Sequence, residues 1–199
     1  SGTAAAPAET FRTTRPGAER AARTTSLSVL VPVYNEEHLV ATSLERLKLL
    51  EDSPDLERIE VTVVDDHSTD GTPQVLSEFQ ARTAQEGGRI QWTFLRHERN
   101  QGKGGAIRTA LERATCEVSV IHDADLEYHP RDLLRIVRVF LEEEPDAVYG
   151  SRFAGSESRR VLMFRHQLGN KLLTFLCNVA TNLNLTDMET CYKVMTRSV

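Results

Sequence analysis

The stretch LSVLVPV (27–33) limits the fold more than any other part of the chain. It is short, almost continuously apolar and valine-rich, with no alternation between an inner and an outer side. Such a run suits a strand covered on both faces, which calls for helices above and below a mostly parallel sheet. The rest of the sequence repeats this unit. IEVTVV (59–64), IQWTFL (90–95), EVSVI (117–121) and DAVYGS (146–151) read as four more strands. Between them, Leu39, Val40, Leu44 and Leu47 form one face of a helix capped by Asn35, and Thr72 caps a second helix with Pro73 at its first position. Ala106, Ile107, Ala110, Leu111 and Ala114 share one side of a third helix, and PRDLLRIVRVFLEEE (130–144) is an amphipathic fourth. Strands alternating with helices predict a three-layer α/β/α sandwich with a mainly parallel central sheet.

Residues 1–25 lack apolar periodicity and read as a flexible N-terminal tail, leaving 26–199 as one domain. A net charge of −5 argues against nucleic acid as a partner. No run approaches the roughly 18 apolar residues of a membrane-spanning helix, and the N-terminus has no secretory apolar stretch. Cys116, Cys177 and Cys191 are too widely spaced for a zinc or redox motif and read as reduced packing thiols of a cytoplasmic protein.

In sheets of this kind, ligands bind outside the carboxyl ends of the strands. Asp65 and Asp66 end the second strand, and Asp123 and Asp125 follow the fourth, so both acidic pairs are expected at one edge. On extended backbone Asp123 and Asp125 would point the same way. Two carboxylates that close need a cation between them or a proton on one. Mg²⁺ or Mn²⁺, completed by water and substrate phosphate, is one solution, and a solvated turn ended by Pro130 is the other. Within VVDDHSTDGT (63–72), Asp66 is assigned to ligand, and Asp70 and Thr72 to turn structure. NQGKGGAIR (100–108) leads a glycine-rich turn into a helix, either as an anion site with Lys103 or as a plain turn. Arg152, Arg159, Arg160 and Arg165 make 150–166 a basic stretch, and Arg152 is the one placed directly after a strand end. His67, His122 and His129 read as hydrogen-bond partners, not ligands. The apolar stretch 168–185 fits a buried helix or one lying at a membrane surface.

Taken in order, VPVYNEE (31–37), VVDDHSTDGT (63–72), NQGKGGA (100–106), DADLEYHP (123–130) and YGSRF (149–153) resemble a family 2 glycosyltransferase of the GT-A fold. The resemblance covers roughly residues 27 to 199 and is greatest to the polyprenyl-phosphate sugar transferases, which GN (169–170) and TDMETCYKV (186–194) favour. It implies that Pro32, Tyr34 and Glu36, helped by Asp66, hold the base and ribose of a nucleotide sugar. Asp123, Ala124 and Asp125 would contact the donor, with Asp125 the main metal ligand and Asp123 and Glu127 assisting. Lys103 would join the donor site, and Lys193 and Arg197 would lie on its diphosphate side. Arg152 and Arg165 would meet the acceptor phosphate.

The implied reaction is metal-dependent inverting transfer of a hexose from UDP-glucose or GDP-mannose to a polyprenyl phosphate, at the cytoplasmic face of a membrane. A phosphate acceptor with a second pKa near ~6 needs no strong base. Glu127 and the Cys191-Tyr192-Lys193 segment depart from the mannose-transferring pattern. The family's chains usually continue past the position of Val199, so either the chain is truncated there or its acceptor site is incomplete. Self-association into a homo-oligomer is compatible with this reading. Two alternatives stand beside it. A hydroxyl acceptor would require a carboxylate base, for which Asp187 and Glu189 are candidates, and the Asp65–Asp66 pair also looks like that of a phospho-receiver domain.

Overall fold

The computed structural model describes residues 23–126, 129–143, 145–149, 164–182, 185–186 and 192–197. Six strands form one sheet: β1 Thr25–Val33, β2 Leu56–Asp65, β3 Ile90–Arg96, β4 Val118–Ile121, β5 Ala147–Tyr149 and β6 Lys193–Thr196. Their order is β3-β2-β1-β4-β6-β5. The first four run parallel, and β6 lies antiparallel between β4 and β5. The chain therefore steps outward from β1 to β2 and β3, then returns to the other side of β1 at β4. A reversal of this kind opens a crevice between the carboxyl ends of β1 and β4.

The helices are α1 Val40–Leu47, α2 Thr72–Glu86, α3 Gly102–Leu111, α4 Pro130–Glu143 and α5 Phe164–Thr181. Alternation along β1 explains the layering. Leu27, Val29, Val31 and Val33 face one main core with Leu44 and Leu47 of α1, Leu76 and Phe79 of α2, and Leu133, Val137 and Phe140 of α4. Leu30 points the other way, with Val64, onto Ala106 and Ala110 of α3. Those alanines are completely buried, and their small side chains let α3 lie close to the sheet. Leu111, expected on the same side, turns outward and is 45% exposed, because the helix ends there.

Two local expectations are corrected, and one strand is added. Asn35 does not cap α1; Leu39 is the N-cap residue, without a side-chain bond. Thr72 does not cap α2 either, since Gly71 precedes the helix and Pro73 falls in its first turn. The sixth strand went unread because the four residues of KVMT carry too little periodicity, and it appears only as cover for the open edge of β4.

α5 is built inside out. Asn170 and Thr174 are buried, with the Thr174 hydroxyl donating to Asn170 Oδ1 at 3.3 Å. Leu172, Phe175, Leu176 and Val179 face outward, Phe175 at 63% exposure and Val179 at 68%. Among the described residues, no helix is long and apolar enough to cross a membrane. Cys116 is buried and Cys177 half-buried, both as free thiols; Cys191 lies outside the described residues.

Candidate active site

A cleft of about 400 Å³ opens between the carboxyl ends of β1 and β4. Its walls come from four of the sequence stretches singled out above: Pro32, Tyr34 and Glu36; Asp66; Gly102 and Lys103; and Asp123, Ala124 and Asp125. These residues were expected in one place, and the parallel sheet brings them there. A larger hollow of about 560 Å³ lies at the opposite edge, near Arg23, Thr25, Glu117, Asp146 and Arg197. Its polar groups serve the fold: Thr25 Oγ1 donates to Glu117 Oε2 at 2.9 Å, and Arg197 Nη1 to the Thr115 carbonyl at 3.3 Å. Size alone would favour that hollow, but it sits at the amino ends of β1 and β4, away from the motifs.

The near wall of the cleft is a lattice between the loops after β1 and β2. The Asn35 amide donates to Ser68 Oγ (3.0 Å), and the Thr69 amide donates back to Asn35 Oδ1 (2.8 Å). The Glu36 amide donates to Thr72 Oγ1 at 2.8 Å, and the Gly71 amide to Glu37 Oε2 at 2.6 Å. Asp70 accepts from the amides of Glu37 (3.3 Å) and Thr72 (3.0 Å). Asn35 and His67 take left-handed backbone angles, φ 54° and 64°, to make these turns. A β-carbon on Gly71 would come within 2.6 Å of Glu37 Oε2, so glycine lets the loops close together. Asp70 and Thr72 therefore work in structure, as expected. Asp65 is buried too, its Oδ1 accepting from the Ser68 amide at 2.9 Å. Its Oδ2 lies 3.2 Å from Arg96 Nε, close enough for attraction but without hydrogen-bond geometry.

Asp66 lines the floor, yet its carboxylate is already engaged. Oδ1 lies 2.7 Å from His97 Nδ1 and accepts from the Gln101 amide at 2.8 Å. Burial pushes this carboxyl up, but the bonds from Gln101, His97 and Gly102 outweigh it and hold it below its usual value. His97 Nε2 lies 2.9 Å from Thr109 Oγ1, which ties α3 to the same network. Asp66 thus positions the glycine turn. His97 was missed in the sequence, although it directly follows the end of β3, where site residues of such sheets gather.

The far wall is the turn after β4. The backbone there is not extended: residues 124–126 turn, and Leu126 has φ 61°. Asp123 and Asp125 share the cleft because of this turn and not through strand alternation. Asp123 Oδ2 pairs with Lys103 Nζ at 2.7 Å. Beneath it, His122 is buried between Ser43 Oγ (3.2 Å from Nε2) and Tyr192 Oη (3.4 Å from Nδ1). Burial lowers His122 to about 4 despite the opposing pull of Asp123, so the ring is neutral near pH 7.

The charge of the cleft suits a cation. Among the described lining residues, Glu36, Asp66, Asp123 and Asp125 face one lysine, Lys103, a formal −3 when all are ionised. Burial raises Glu36, and the charges of Asp125, Asp70 and Asp123 raise it further. No group of three or more His, Cys, Asp or Glu side chains among the described residues makes a metal cage alone. The hard oxygens of Asp123 and Asp125 fit Mg²⁺ or Mn²⁺ held partly by substrate phosphate and water.

Not every expected site residue joins the cleft. Lys193 opens β6, which the Val120–Val194 register places beside the end of β4. Arg197 lies at the other end of that antiparallel strand, in the opposite hollow, and its expected diphosphate contact is not brought about. Glu127 and Arg152 lie outside the described residues, as does the side chain of Arg165, whose backbone is in α5.

The sequence profile of Glycosyl transferase family 2 matches residues 28–199. A UDP-N-acetylglucosamine–dolichyl-phosphate N-acetylglucosaminyltransferase of Methanococcus voltae is 23% identical over 179 residues, 85% of this chain and 69% of its own. An undecaprenyl-phosphate 4-deoxy-4-formamido-L-arabinose transferase of Aeromonas hydrophila is 29% identical over 163 residues, 81% of this chain and 46% of its own. Among solved structures, a mannosyltransferase of Pyrobaculum calidifontis in complex with GDP-Man and Mn²⁺ superposes with a TM-score of 0.60 at 26% identity, covering 88% of this chain and 45% of that one.

Proposed function

The chain belongs to glycosyl transferase family 2, and from that premise we propose that it transfers a hexosyl group from a nucleotide sugar, UDP-glucose or GDP-mannose, to a polyprenyl phosphate with inversion. The observation that carries this reading is the composition of the cleft. Four carboxylates and one lysine at the β1–β4 crevice repel a bare diphosphate, but they suit one that arrives with a divalent cation.

In this mechanism Pro32 and Tyr34 flank the base, and the interlocked loops hold Glu36 against the ribose. Asp123 and Asp125 would hold Mg²⁺ or Mn²⁺, with Glu127 assisting. The bound ion supplies Lewis-acid neutralisation of charge on the departing diphosphate. Lys103 and Lys193 add positive charge on the same side. Arg152 and Arg165 orient the acceptor phosphate, whose oxygen forms the new bond to the anomeric carbon as the bond to the nucleoside diphosphate breaks. The acceptor is dianionic at neutral pH, so no side chain has to remove a proton. The outward apolar face of α5, with Leu172, Phe175 and Val179, rests on the cytoplasmic surface of a membrane where such a lipid resides. The dolichyl- and undecaprenyl-phosphate transferases among its relatives support the choice of acceptor class.

Calorimetry with UDP and GDP, in Mn²⁺ and in EDTA, tests the donor half. Metal-dependent binding of one nucleotide, lost in Asp125→Ala, is the expected result, and no binding of either by folded protein overturns it. Flotation with anionic vesicles tests the membrane contact, which fails if Leu172→Ser with Phe175→Ser binds them as well as the natural sequence does.

A further inference from the structure

The Lys103–Asp123 pair links two sides of the cleft. Lys103 is the second residue of α3, set up by Gly102 with φ 78°. Its side chain is 59% exposed, whereas Asp123 is only 18% exposed, so the lysine reaches across to a partly enclosed carboxylate. Nothing lies within 4 Å of where a β-carbon on Gly102 or Gly104 would stand, so the residues on either side of the lysine are uncrowded, whereas one on Gly105 would meet Gln101 Cβ at 2.7 Å.

We propose that Lys103 is the resident counter-ion of the metal site, held on Asp123 until cation and diphosphate arrive together, and then handed to the diphosphate. The inference rests on the donor-site reading above. A carboxylate oxygen that accepts an ammonium at 2.7 Å is a poorer ligand for a divalent cation at about 2.1 Å, and the two positive charges repel each other. Lysine and metal therefore compete for Asp123. A diphosphate removes the competition by offering the ammonium another anion, and a lysine can take it up because its charge sits on a long, rotatable stem. The site then binds metal weakly alone and strongly with nucleotide, which makes Lys103 a positioning residue that couples the two ligands.

The coupling has a signature of opposite signs. Lys103→Met is expected to tighten Mn²⁺ binding in the absence of nucleotide by about 3- to 10-fold, because the lysine competes for and repels the ion. The same change is expected to weaken nucleoside diphosphate binding in saturating Mn²⁺ by a similar factor. Mn²⁺ alone, followed by electron paramagnetic resonance at fixed ionic strength, reads the first effect, and calorimetry reads the second. Repeating Lys103→Met in an Asp123→Asn background separates direct competition from a general change of field, since the Mn²⁺ gain should then largely vanish. Unchanged or weaker Mn²⁺ binding in Lys103→Met overturns the proposal, as does an undiminished gain in the Asp123→Asn background. Nucleotide binding that is indifferent to Asp125→Ala would instead remove the donor-site reading, while the Mn²⁺ cycle remains interpretable.

Discussion

The two walls of the cleft are held by different physics. On the near wall, five hydrogen bonds with a backbone amide as donor join residues 35–37 and 68–72, all but one with a short polar side chain as acceptor. On the far wall, Asp123 meets the glycine turn through a partly exposed ion pair with Lys103. A backbone amide has one place to donate, so the near wall is built before any ligand arrives. An exposed ion pair contributes roughly 0–1 kcal/mol and exchanges readily. Under the function proposed above, recognition of base and ribose would fall to the prebuilt wall, and charge would be rearranged at the exchangeable one.

Asp125→Asn attacks the exchangeable wall and should show the largest effect. If its charge helps hold the cation, transfer should fall by about 10²- to 10³-fold, for a loss of ~3–4 kcal/mol of transition-state stabilisation. Asp125 is exposed on a turn, so the urea midpoint should hardly move. A parallel loss of stability would show that this wall is structural after all. Next comes the base on which that wall stands. His122 titrates near 4 when folded and 6.5 when unfolded, so the unfolded chain binds more protons between those values. Its contribution is full above about pH 6.5 and is lost as pH falls towards 4, about 3 kcal/mol in all. Urea unfolding in EDTA at a series of pH values should show that slope, and His122→Gln should lack that part of it.

The prebuilt wall is tested by Thr72→Val, which keeps the shape but leaves the Glu36 amide without its acceptor. A cost of about 1–3 kcal/mol in urea unfolding is expected, together with weaker nucleotide binding. A stability loss without a binding loss would separate the lattice from base recognition. The smallest effect belongs to Gly102→Ala. A left-handed φ of 78° penalises alanine by about 1–2 kcal/mol, and the local adjustment should also blunt the lysine's reach. Thermal unfolding and Mn²⁺ binding read the two consequences.

Much of this arrangement was legible because its signals are local. Apolar runs bounded by helices indicated a parallel sheet, and a parallel sheet collects strand ends at one edge; thus Asp66 and Asp123 could be placed together though 57 residues apart in the numbering. Side-chain bonding was harder to read. Asn35 and Thr72 look like helix caps, and each instead bonds to the neighbouring loop. Caps and cross-loop acceptors use the same short polar residues, so residue type does not distinguish them. His97 was invisible for a related reason: its partners, Asp66 and Thr109, come from two other elements.

By itself, the sequence determined the layers, the edge where chemistry gathers and the carboxylates that gather there. These follow from periodicity and from strand direction, both properties of neighbouring residues. Only the tertiary structure decided how each carboxylate is used. Asp65 is buried at the end of β2 and bonds the loop that follows, Asp66 pins the glycine turn and Asp123 is matched by Lys103. It also placed Arg197 at the wrong end of an antiparallel strand for the cleft. A carboxylate's role depends on which donors lie within about 3 Å of it, and those donors come from distant parts of the chain.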